Sequence, residues 1–220
     1  MTFQRARSEE QREARRRTIL DTAATMLDEM PVAEVSLNEL SRRVGLAKSN
    51  VLRYFESREA VLLELLDYFL ERWLADLDGE LAAGIDGRLS AEERGAQLAD
   101  VLSRSLAGRT VLCDLFGAQG GVLEHNVSVD VVLRHKRASL GCLHTMTELI
   151  RRHVPELGDG IPVVCLQSLI MAGALATYCS PPASVLAAYE AEPALALLHA
   201  DLGDALRLAI GTAILGTLPR

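Results

Sequence analysis

The sequence predicts an all-α protein with a three-helix N-terminal head of helix-turn-helix type and a larger helical body, about nine helices in total. Alanine and leucine dominate the 220 residues and aromatic residues make up only 4% of them, a composition that favours helices over strands. Glycine and proline are mostly confined to a few breaks, and between these breaks apolar residues recur at helical spacing. A hydrophobic content of 49% is ample for a buried core.

Charge is distributed unevenly along the chain, whose formal net charge is −7. Residues 1–58 carry 11 Lys and Arg against 9 Asp and Glu, whereas residues 59–220 carry 12 against 21. The overall acidity argues against a protein that coats nucleic acid with its whole surface. A mildly basic head on an acidic body instead fits a protein that contacts DNA at one end only.

Targeting and redox signals indicate a cytoplasmic protein. The Arg-rich N-terminus contains no apolar segment of the kind found in a signal peptide. The cysteines are far apart and form no C-x-x-C pair, which predicts reduced core thiols rather than disulfides. They are Cys113, Cys142, Cys165 and Cys179.

Residues 36–55 have the pattern of two short helices joined by a tight turn. Ser36 followed by Glu39 is a capping-box signature for a helix start. Gly45 can adopt the positive φ that a sharp exit from the first helix requires. The apolar positions lie on one face of each helix, and they are Leu37, Leu40, Val44, Ala47, Val51 and Phe55.

The second helix of this motif presents polar side chains, and no acid, on the face opposite Val51. Lys and Arg suit guanine edges or phosphates, Asn suits adenine, and hydroxyls suit phosphate oxygens. A recognition helix in a major groove uses such a face, although a structural hairpin with a solvated basic face fits the local pattern about equally well. The polar residues are Lys48, Ser49, Asn50, Arg53 and Tyr54, and the preceding helix adds Arg42 and Arg43.

Residues 15–65 together resemble the tetracycline-repressor (TetR) family of bacterial regulators. The residues that carry the resemblance are Ile19-Leu20, Ala23-Ala24, Ser36, Leu40, Val44-Gly45-Leu46-Ala47, Val51 and Tyr54-Phe55. Four residues depart from the family pattern. Met30-Pro31 replaces the usual glycine turn, Leu52 stands where a phosphate-contacting Tyr is common, and Arg58 stands where Lys is usual.

The resemblance implies a cytoplasmic, homodimeric transcriptional repressor that binds double-stranded operator DNA and is released by a small-molecule effector. Two heads on a palindrome are expected because one head reads too few base pairs. A regulator that activates or has no effector, and a helical ligand-binding protein or enzyme with a structural head, are the alternatives. Base contacts are expected from Lys48, Ser49, Asn50 and Arg53. The other expected DNA contacts are Ser36, Arg42, Arg43, Ala47 through its amide, Tyr54 and Arg58.

The chain is expected to divide into a flexible arm (1–14), a DNA-binding head (15–57) and an effector-binding and dimerisation body (58–220). The first helix of the head should cover about 15–29. In the body, serine caps and glycine or proline stops predict helices over about 58–83, 90–107, 110–124 and 128–153. Two further apolar helices follow, one within 160–189 and one over about 195–218.

The stretch from Gly160 to Tyr189 contains no charged residue and meets the length criterion for a membrane span. Bounding prolines, interrupting polar residues and missing Lys or Arg anchors argue against a span. We expect instead a helix buried on nearly all sides, which forms a four-helix dimer interface with the last helix through small residues, or else an ordinary intrachain core. The expected interface residues are Leu169, Ala172, Gly173, Ala176, Ala205, Leu208, Ala209 and Ala213.

The body offers no catalytic or metal-binding spacing, since its histidines form no H-E-x-x-H motif and no glycine loop follows a strand. Neither an enzyme nor a cofactor is therefore expected. The resemblance implies an effector pocket among the body helices, and Asp114, Gln119 and Gln167 on apolar helices should have partners if buried. The expected pocket residues are Phe69, Trp73, Leu112, Phe116, Gln119, Glu124, Asn126, Arg134, His144, Gln167, Met171 and Tyr178.

Overall fold

The computed structural model describes residues 2–219, with side chains from Glu9 onward, and this part of the chain contains ten α-helices and no strand. The predicted all-α fold class is confirmed. The helices are α1 (Thr2–Glu29), α2 (Leu37–Val44), α3 (Lys48–Val51), α4 (Arg58–Gly84), α5 (Ala91–Ala107), α6 (Thr110–Ala118), α7 (Val129–His153), α8 (Ile161–Cys179), α9 (Ala183–Ala191) and α10 (Leu202–Thr217). Short 3₁₀ segments cover Val32–Glu34, Pro155–Gly160 and Pro193–Leu198, and a π-helical turn covers Gln119–Leu123.

Local capping signals set the helix boundaries of the head. The Ser36 hydroxyl accepts a hydrogen bond from the Glu39 amide at 3.2 Å and begins α2. The Glu39 carboxylate does not accept a hydrogen bond from the Ser36 amide, because it accepts hydrogen bonds from Arg42 and Arg43 instead. Gly45 ends α2 with a φ of 71°, which glycine adopts without steric cost. Ser57 and Ser90 cap α4 and α5 in the same way as Ser36 caps α2.

Helix α4 joins the head to the body and carries the centre of the core. Trp73 on α4 is 1% exposed, and its indole N–H donates to the Ser105 hydroxyl of α5 at 2.8 Å. A buried indole needs such a partner, so this bond fixes the register of α4 against α5. Helix α10 packs along α5 and α8, while α6 packs against α8 and against the 3₁₀ turn Val32–Glu34 of the head. Helix α6 therefore lies between the head and α8.

The N-terminal segment differs from the expectation. Helix α1 begins at Thr2, so residues 2–14 continue the first helix where the sequence predicts a flexible arm. Residues 9–15 are exposed, and the side chains of Arg5 and Arg7 lie outside the described part of the chain. No glycine or proline separates this polar segment from the apolar part of α1, and Arg, Glu, Gln and Ala all propagate a helix well.

The C-terminal region also differs from the expectation of one helix over about 195–218. Helix α10 starts only at Leu202, where the Asp201 carboxylate accepts from the Asp204 amide at 3.0 Å. Pro193 begins a separate 3₁₀ turn, because proline has no amide to continue a helix. Helix α9 was not predicted, and its nine residues are all at least partly exposed within this chain.

Within the single chain, helix α8 has one buried face and one exposed face, so the chain by itself does not bury it on nearly all sides. Val163, Leu166 and Ile170 are 55%, 49% and 54% exposed. By length and composition alone, the helical run Pro155–Cys179 could cross a membrane, and 39% of its most apolar window is buried. Because this sequence is apolar all round, its pattern cannot distinguish the two faces.

The small residues of α8 pack inside the chain. A Cβ on Gly173 would lie 2.5 Å from the Gly117 backbone nitrogen, so α6 and α8 meet backbone to backbone. Leu169, Ala172 and Gly173 are buried, and we correct their assignment to a dimer interface in favour of the intrachain alternative. The other expected interface residues are partly buried Ala176, Ala205, Ala209 and Ala213, and Leu208, which is 73% exposed.

Candidate DNA-binding head and apolar cavity

Helix α3 presents its polar residues to solvent. Lys48, Ser49 and Asn50 on α3 and Arg53 in the turn after it are exposed, whereas Val51 is fully buried and anchors the helix in the head core. We call these four exposed residues the reading face. It contains donors and acceptors of the types that contact base edges, and it contains no carboxylate that would repel DNA.

Two arginines beside the reading face are held by one acid. Arg42 donates to Glu39 through Nε at 2.9 Å and Nη2 at 2.6 Å, and Arg43 Nε donates to it at 2.8 Å. Arg43 Nη1 also donates to Glu29 at 2.6 Å. The hydrogen bonds from Arg42 and then Arg43 lower the pKa of Glu39 to about 2. Glu39 therefore stays ionised at any pH used to measure DNA binding, and it partly neutralises both arginines.

The remaining predicted DNA contacts lie in different settings. Ser36 and Ala47 are exposed, and Tyr54 is partly buried. Arg58 departs most from the expectation, because its Nη2 donates to the Val32 carbonyl and its Nη1 lies 3.3 Å from Glu59. Only 18% of its side chain is exposed. We therefore correct Arg58 from a phosphate contact to a link within the protein, since a mostly buried guanidinium needs acceptors around it.

A cavity of about 630 Å³ lies between α6, α7 and α8, and Leu70 of α4 also lines it. Phe116 and Leu143 form part of its mainly apolar wall. Leu166 and Ile170, which also line it, are 49% and 54% exposed, so the cavity opens to the surface along α8. Its size and lining suit a small molecule, and we call it the apolar cavity.

Polar side chains form a hydrogen-bonded chain beside the apolar cavity. Gln119 Nε2 and Lys136 Nζ donate to Glu124 Oε1 at 2.7 and 2.6 Å. Gln119 Nε2 lies 3.0 Å from Nε2 of buried His135, whose Nδ1 lies 2.7 Å from Asp67 Oδ1. Burial raises the pKa of Asp67. Burial acts on Glu124 in the same direction, but the bonds from Lys136 and Gln119 prevail and lower its pKa.

The structure divides the predicted pocket residues into three groups. Phe116, Gln119 and Glu124 line the apolar cavity. Trp73 and Leu112 are 1% and 2% exposed and belong to the core, which corrects their assignment. The remaining residues lie elsewhere. Arg134 lines a cleft of about 520 Å³ between head and body, and Phe69 is partly buried against the core. The residues at exposed positions outside the cavity are Asn126, His144, Gln167, Met171 and Tyr178.

The α7 wall of the cavity was not predicted. Lys136, Ser139, Leu140 and Leu143 line it and recur at spacings of three and four residues, which is one face of a helix. Their pattern alone does not show whether this face meets a core or a cavity. A signal for the opposite wall was present at Gly120-Gly121, where two glycines in an apolar helix coincide with the π-helical turn and an open lining.

Two family models match adjoining parts of the chain. One, described as "Bacterial regulatory proteins, tetR family", matches residues 19–65 and includes α2, the Gly45 turn and α3. The other, described as "Tetracyclin repressor-like, C-terminal domain", matches residues 67–220, which is more than half of the chain. The chain belongs to the TetR family.

Single TetR proteins support the same assignment. The HTH-type transcriptional regulator EthR of Mycobacterium tuberculosis is 43% identical over 49 residues, which cover 22% of this chain and 23% of EthR. EthR of Mycolicibacterium smegmatis is 38% identical over 58 residues, or 26% of this chain and 27% of that protein. These alignments span about a quarter of the length of the curated relatives, so they support a regulator assignment for the aligned part of the chain only.

Two solved structures of transcriptional regulators share the fold over most of the chain. The fatty acid degradation regulator FadR from Bacillus halodurans has a TM-score of 0.52 at 14% identity, covering 91% of this chain and 94% of that one. FadR from Bacillus subtilis, solved in complex with stearoyl-CoA, has a TM-score of 0.53 at 13% identity, covering 90% and 97%. At such low identity the likeness establishes the fold alone. The family models confirm the predicted DNA-binding transcriptional regulator of the TetR family.

The acid beside the reading face gives a first prediction for this TetR protein. Glu39→Gln should raise affinity for any DNA about three- to tenfold, because Arg42 is then held by no carboxylate and Arg43 by Glu29 alone, so both can turn to phosphates more readily. The logarithm of the binding constant should also fall more steeply with the logarithm of salt concentration than it does in the unsubstituted protein. The slope should increase in magnitude by up to about 1. Fluorescence anisotropy across a salt series measures both quantities.

The matched control for Glu39→Gln is Glu148→Gln. It removes the same charge and a similar ion pair, between Glu148 and Arg151 on α7, away from the head. It should leave both the affinity and the salt slope unchanged. Equal effects of the two substitutions would mean that net charge alone, rather than release of the arginines, governs DNA affinity.

Proposed function

We propose that the protein is a homodimeric transcriptional repressor whose residues 15–57 read an operator and whose residues 58–220 bind an effector and the second subunit. In this proposal, the reading face contacts base edges. Ser36, Arg42, Arg43, Tyr54 and the amide of Ala47 contact phosphates. An effector in the apolar cavity releases the DNA, and the protein acts in the cytoplasm as a regulator rather than an enzyme.

The observation that carries the DNA-reading part is the exposure of Lys48, Ser49 and Asn50 on one short helix, and of Arg53 in the turn that follows it, while Val51 of the same helix is fully buried. A structural hairpin would have no need of four exposed polar residues that include an Asn and two cations without an acid. Specific readout requires groups that reach base edges from a rigid element, and the buried Val51 holds α3 in place.

An exposed apolar stripe supports the homodimer. On α8 it includes Val163, Leu166 and Ile170, and on α10 it includes Leu208 and Leu215, which are 73% and 52% exposed. These two helices pack against each other, so the residues belong to neighbouring surfaces. Several large exposed apolar residues on two neighbouring helices are typical of an interaction site. A second copy is the natural occupant, because a palindromic operator needs two heads related by a two-fold axis.

The apolar cavity supports the effector. Its volume of about 630 Å³ is within the range of small-molecule sites, and few polar groups line it, chiefly Gln119, Glu124 and Lys136. A mostly apolar molecule with a polar end that bonds to these side chains would fit this lining. The Bacillus subtilis FadR structure contains stearoyl-CoA, so a fatty acyl compound is a reasonable first candidate to assay.

Fluorescence anisotropy on the DNA upstream of the protein's own gene tests this proposal. We expect tight binding to this fragment, weaker binding to a scrambled fragment of the same composition, and a salt slope that counts the phosphate contacts. Equal, weak and steeply salt-dependent binding to both fragments, and to the DNA of neighbouring genes, would contradict a reading role for α3.

Arg53→Ala tests the reading face directly. We expect the preference for operator over scrambled DNA to fall about 10- to 100-fold, since a bidentate contact to a base contributes about 1–3 kcal/mol of discrimination. The matched control is Arg207→Ala, which removes an exposed arginine from α10 and should leave discrimination intact. A loss of affinity for both DNAs by the same factor would place Arg53 on a phosphate instead.

A further inference from the structure

The turn between α1 and α2 is held from outside the head. The Val32 amide donates to Asp114 Oδ2 of α6 at 2.7 Å, across 82 residues of sequence. The Val32 carbonyl accepts from Arg58 at the start of α4. Val32 itself is only 1% exposed, so both hydrogen bonds lie beside a buried anchor. A side chain of the body is thus hydrogen-bonded to the backbone of the DNA-binding head.

Asp114 and the cavity residue Phe116 lie on opposite sides of α6. At 100° per residue, Phe116 points about 200° away from Asp114, and Phe116 lines the cavity. Helix α6 has only nine residues, so its two ends cannot move independently. A molecule that displaces the Phe116 side of α6 must therefore also move the carboxylate that holds Val32.

Helix α6 cannot yield in the direction of α8. Gly117 and Gly173 bring the two backbones together, and a Cβ on either glycine would lie 3.0 Å or less from atoms of the other helix. Such a contact is already at its closest approach. An occupant of the cavity that displaces α6 must therefore move it along or away from α8, and the elements that then take up the shift are the head turn, α4 and α5, which also pack against α6.

We propose that Asp114 is the positioning residue through which occupancy of the apolar cavity changes the orientation of the DNA-binding head. This inference rests on the proposed function, because it assigns the regulation of the same cavity. Filling the cavity shifts α6. The hydrogen bond from the Val32 amide to Asp114 then carries that shift to the turn before α2. As a result, the reading face moves relative to the reading face of the second subunit. The cavity's occupant can shift the head only by the difference between its binding free energies for the two arrangements of the head.

A covalent occupant replaces the unidentified effector in the test. The carrier is full-length protein with Ser139→Cys, which places a thiol on the α7 wall, and Cys179→Ser, which removes the most accessible native thiol. Burial raises the pKa of Cys113, Cys142 and Cys165 to about 11, so these thiols react slowly at neutral pH. The probe is N-cyclohexylmaleimide, and anisotropy on the selective fragment gives the affinity before and after labelling.

We expect labelling to weaken operator binding at least tenfold in this carrier. With Asp114→Ala added, labelling should change the affinity less than twofold, because the head no longer follows α6. Asp114→Asn keeps an acceptor oxygen and should restore most of the response, which a purely structural effect of removing the charge would not do.

Val32→Pro provides a second test that leaves Asp114 in place. It removes the donating amide at the first position of the 3₁₀ turn, where proline is tolerated, and the preceding residue already has the extended ψ of 156° that proline requires. This variant should also respond less than twofold to labelling while it still selects operator DNA.

The outcomes separate the inference from the proposed function. If labelling weakens operator binding equally with and without Asp114→Ala, and Val32→Pro also responds fully, the cavity regulates the head by another route and this inference is wrong. If labelling has no effect even with Asp114 present, cavity occupancy does not release DNA, and both the effector part of the proposed function and the inference are wrong. If the unlabelled carrier does not select operator DNA, the reading role itself is contradicted and nothing is left for Asp114 to couple.

Discussion

Replacing Ile170 by glutamate is expected to separate the dimer into monomers and to lower operator affinity at least 100-fold. Ile170 belongs to the exposed apolar stripe on α8 and is 54% exposed in the single chain. A second copy that covers the stripe would bury the new carboxylate without a cation, which is strongly unfavourable. Two linked heads bind a palindrome about 10² to 10⁴ times more tightly than one, and this gain would be lost.

Sedimentation equilibrium and anisotropy on the selective fragment measure the two effects of Ile170→Glu. The matched control is Val129→Glu, which places the same charge on a side chain that is 74% exposed at the start of α7. An acid in the first turn of a helix is favourable, so this control should remain dimeric and bind normally. A dimeric Ile170→Glu variant with normal affinity would show that the stripe is not the subunit interface.

Replacing Gly173 by alanine is expected to lower the stability of the fold by about 1–3 kcal/mol and the Tm by about 3–10 °C. The new Cβ would lie 2.5 Å from the Gly117 nitrogen and 2.6 Å from the Phe116 carbonyl carbon. Backbone atoms cannot rotate away as side chains do, so α6 must shift. Because α6 also holds Val32, we expect this variant to lose affinity for operator as well as stability.

Differential scanning calorimetry with Gly141→Ala as the control isolates this clash. Gly141 lies in α7, and no atom beyond its own stretch of helix lies within 4 Å of the position that a Cβ would take. Alanine there should therefore stabilise the helix slightly or leave it unchanged. An unchanged Tm in Gly173→Ala would mean that α6 and α8 are not in backbone contact. The direct α6–α8 contact, on which the coupling through Asp114 partly depends, would then have to be abandoned.

The head could be predicted from the sequence because its signals are local. Ser36, Gly45 and Ser57 act within three or four residues of themselves, so capping and turn rules identify them without knowledge of the rest of the chain. The exposed polar face of α3 follows from helical periodicity in the same way. The resemblance to the TetR family rests on these same residues, and the family models confirm it.

The body resisted prediction because its decisive contacts are distant in sequence. Helix α8 is apolar all round, and only its neighbours determine that Ala172 faces inward while Ile170 faces outward. The position of Arg58 in the sequence suggests a DNA contact, whereas in the fold its guanidinium donates to the carbonyl of Val32. The sequence predicts a partner for Asp114 if it is buried, but it could not show that this partner is the head's own backbone.

A hydroxyl-radical footprint of the protein on its selective DNA fragment tests the dimeric reading of an operator most directly. We expect two protected segments on the same face of the duplex, centred about 34–36 Å apart or a multiple of that distance, because two α3 helices of one dimer enter successive major grooves. Arg53→Ala should abolish both segments at the same protein concentration. A single protected segment, or uniform protection along the fragment, would contradict a dimeric reader with one α3 helix in each half-site.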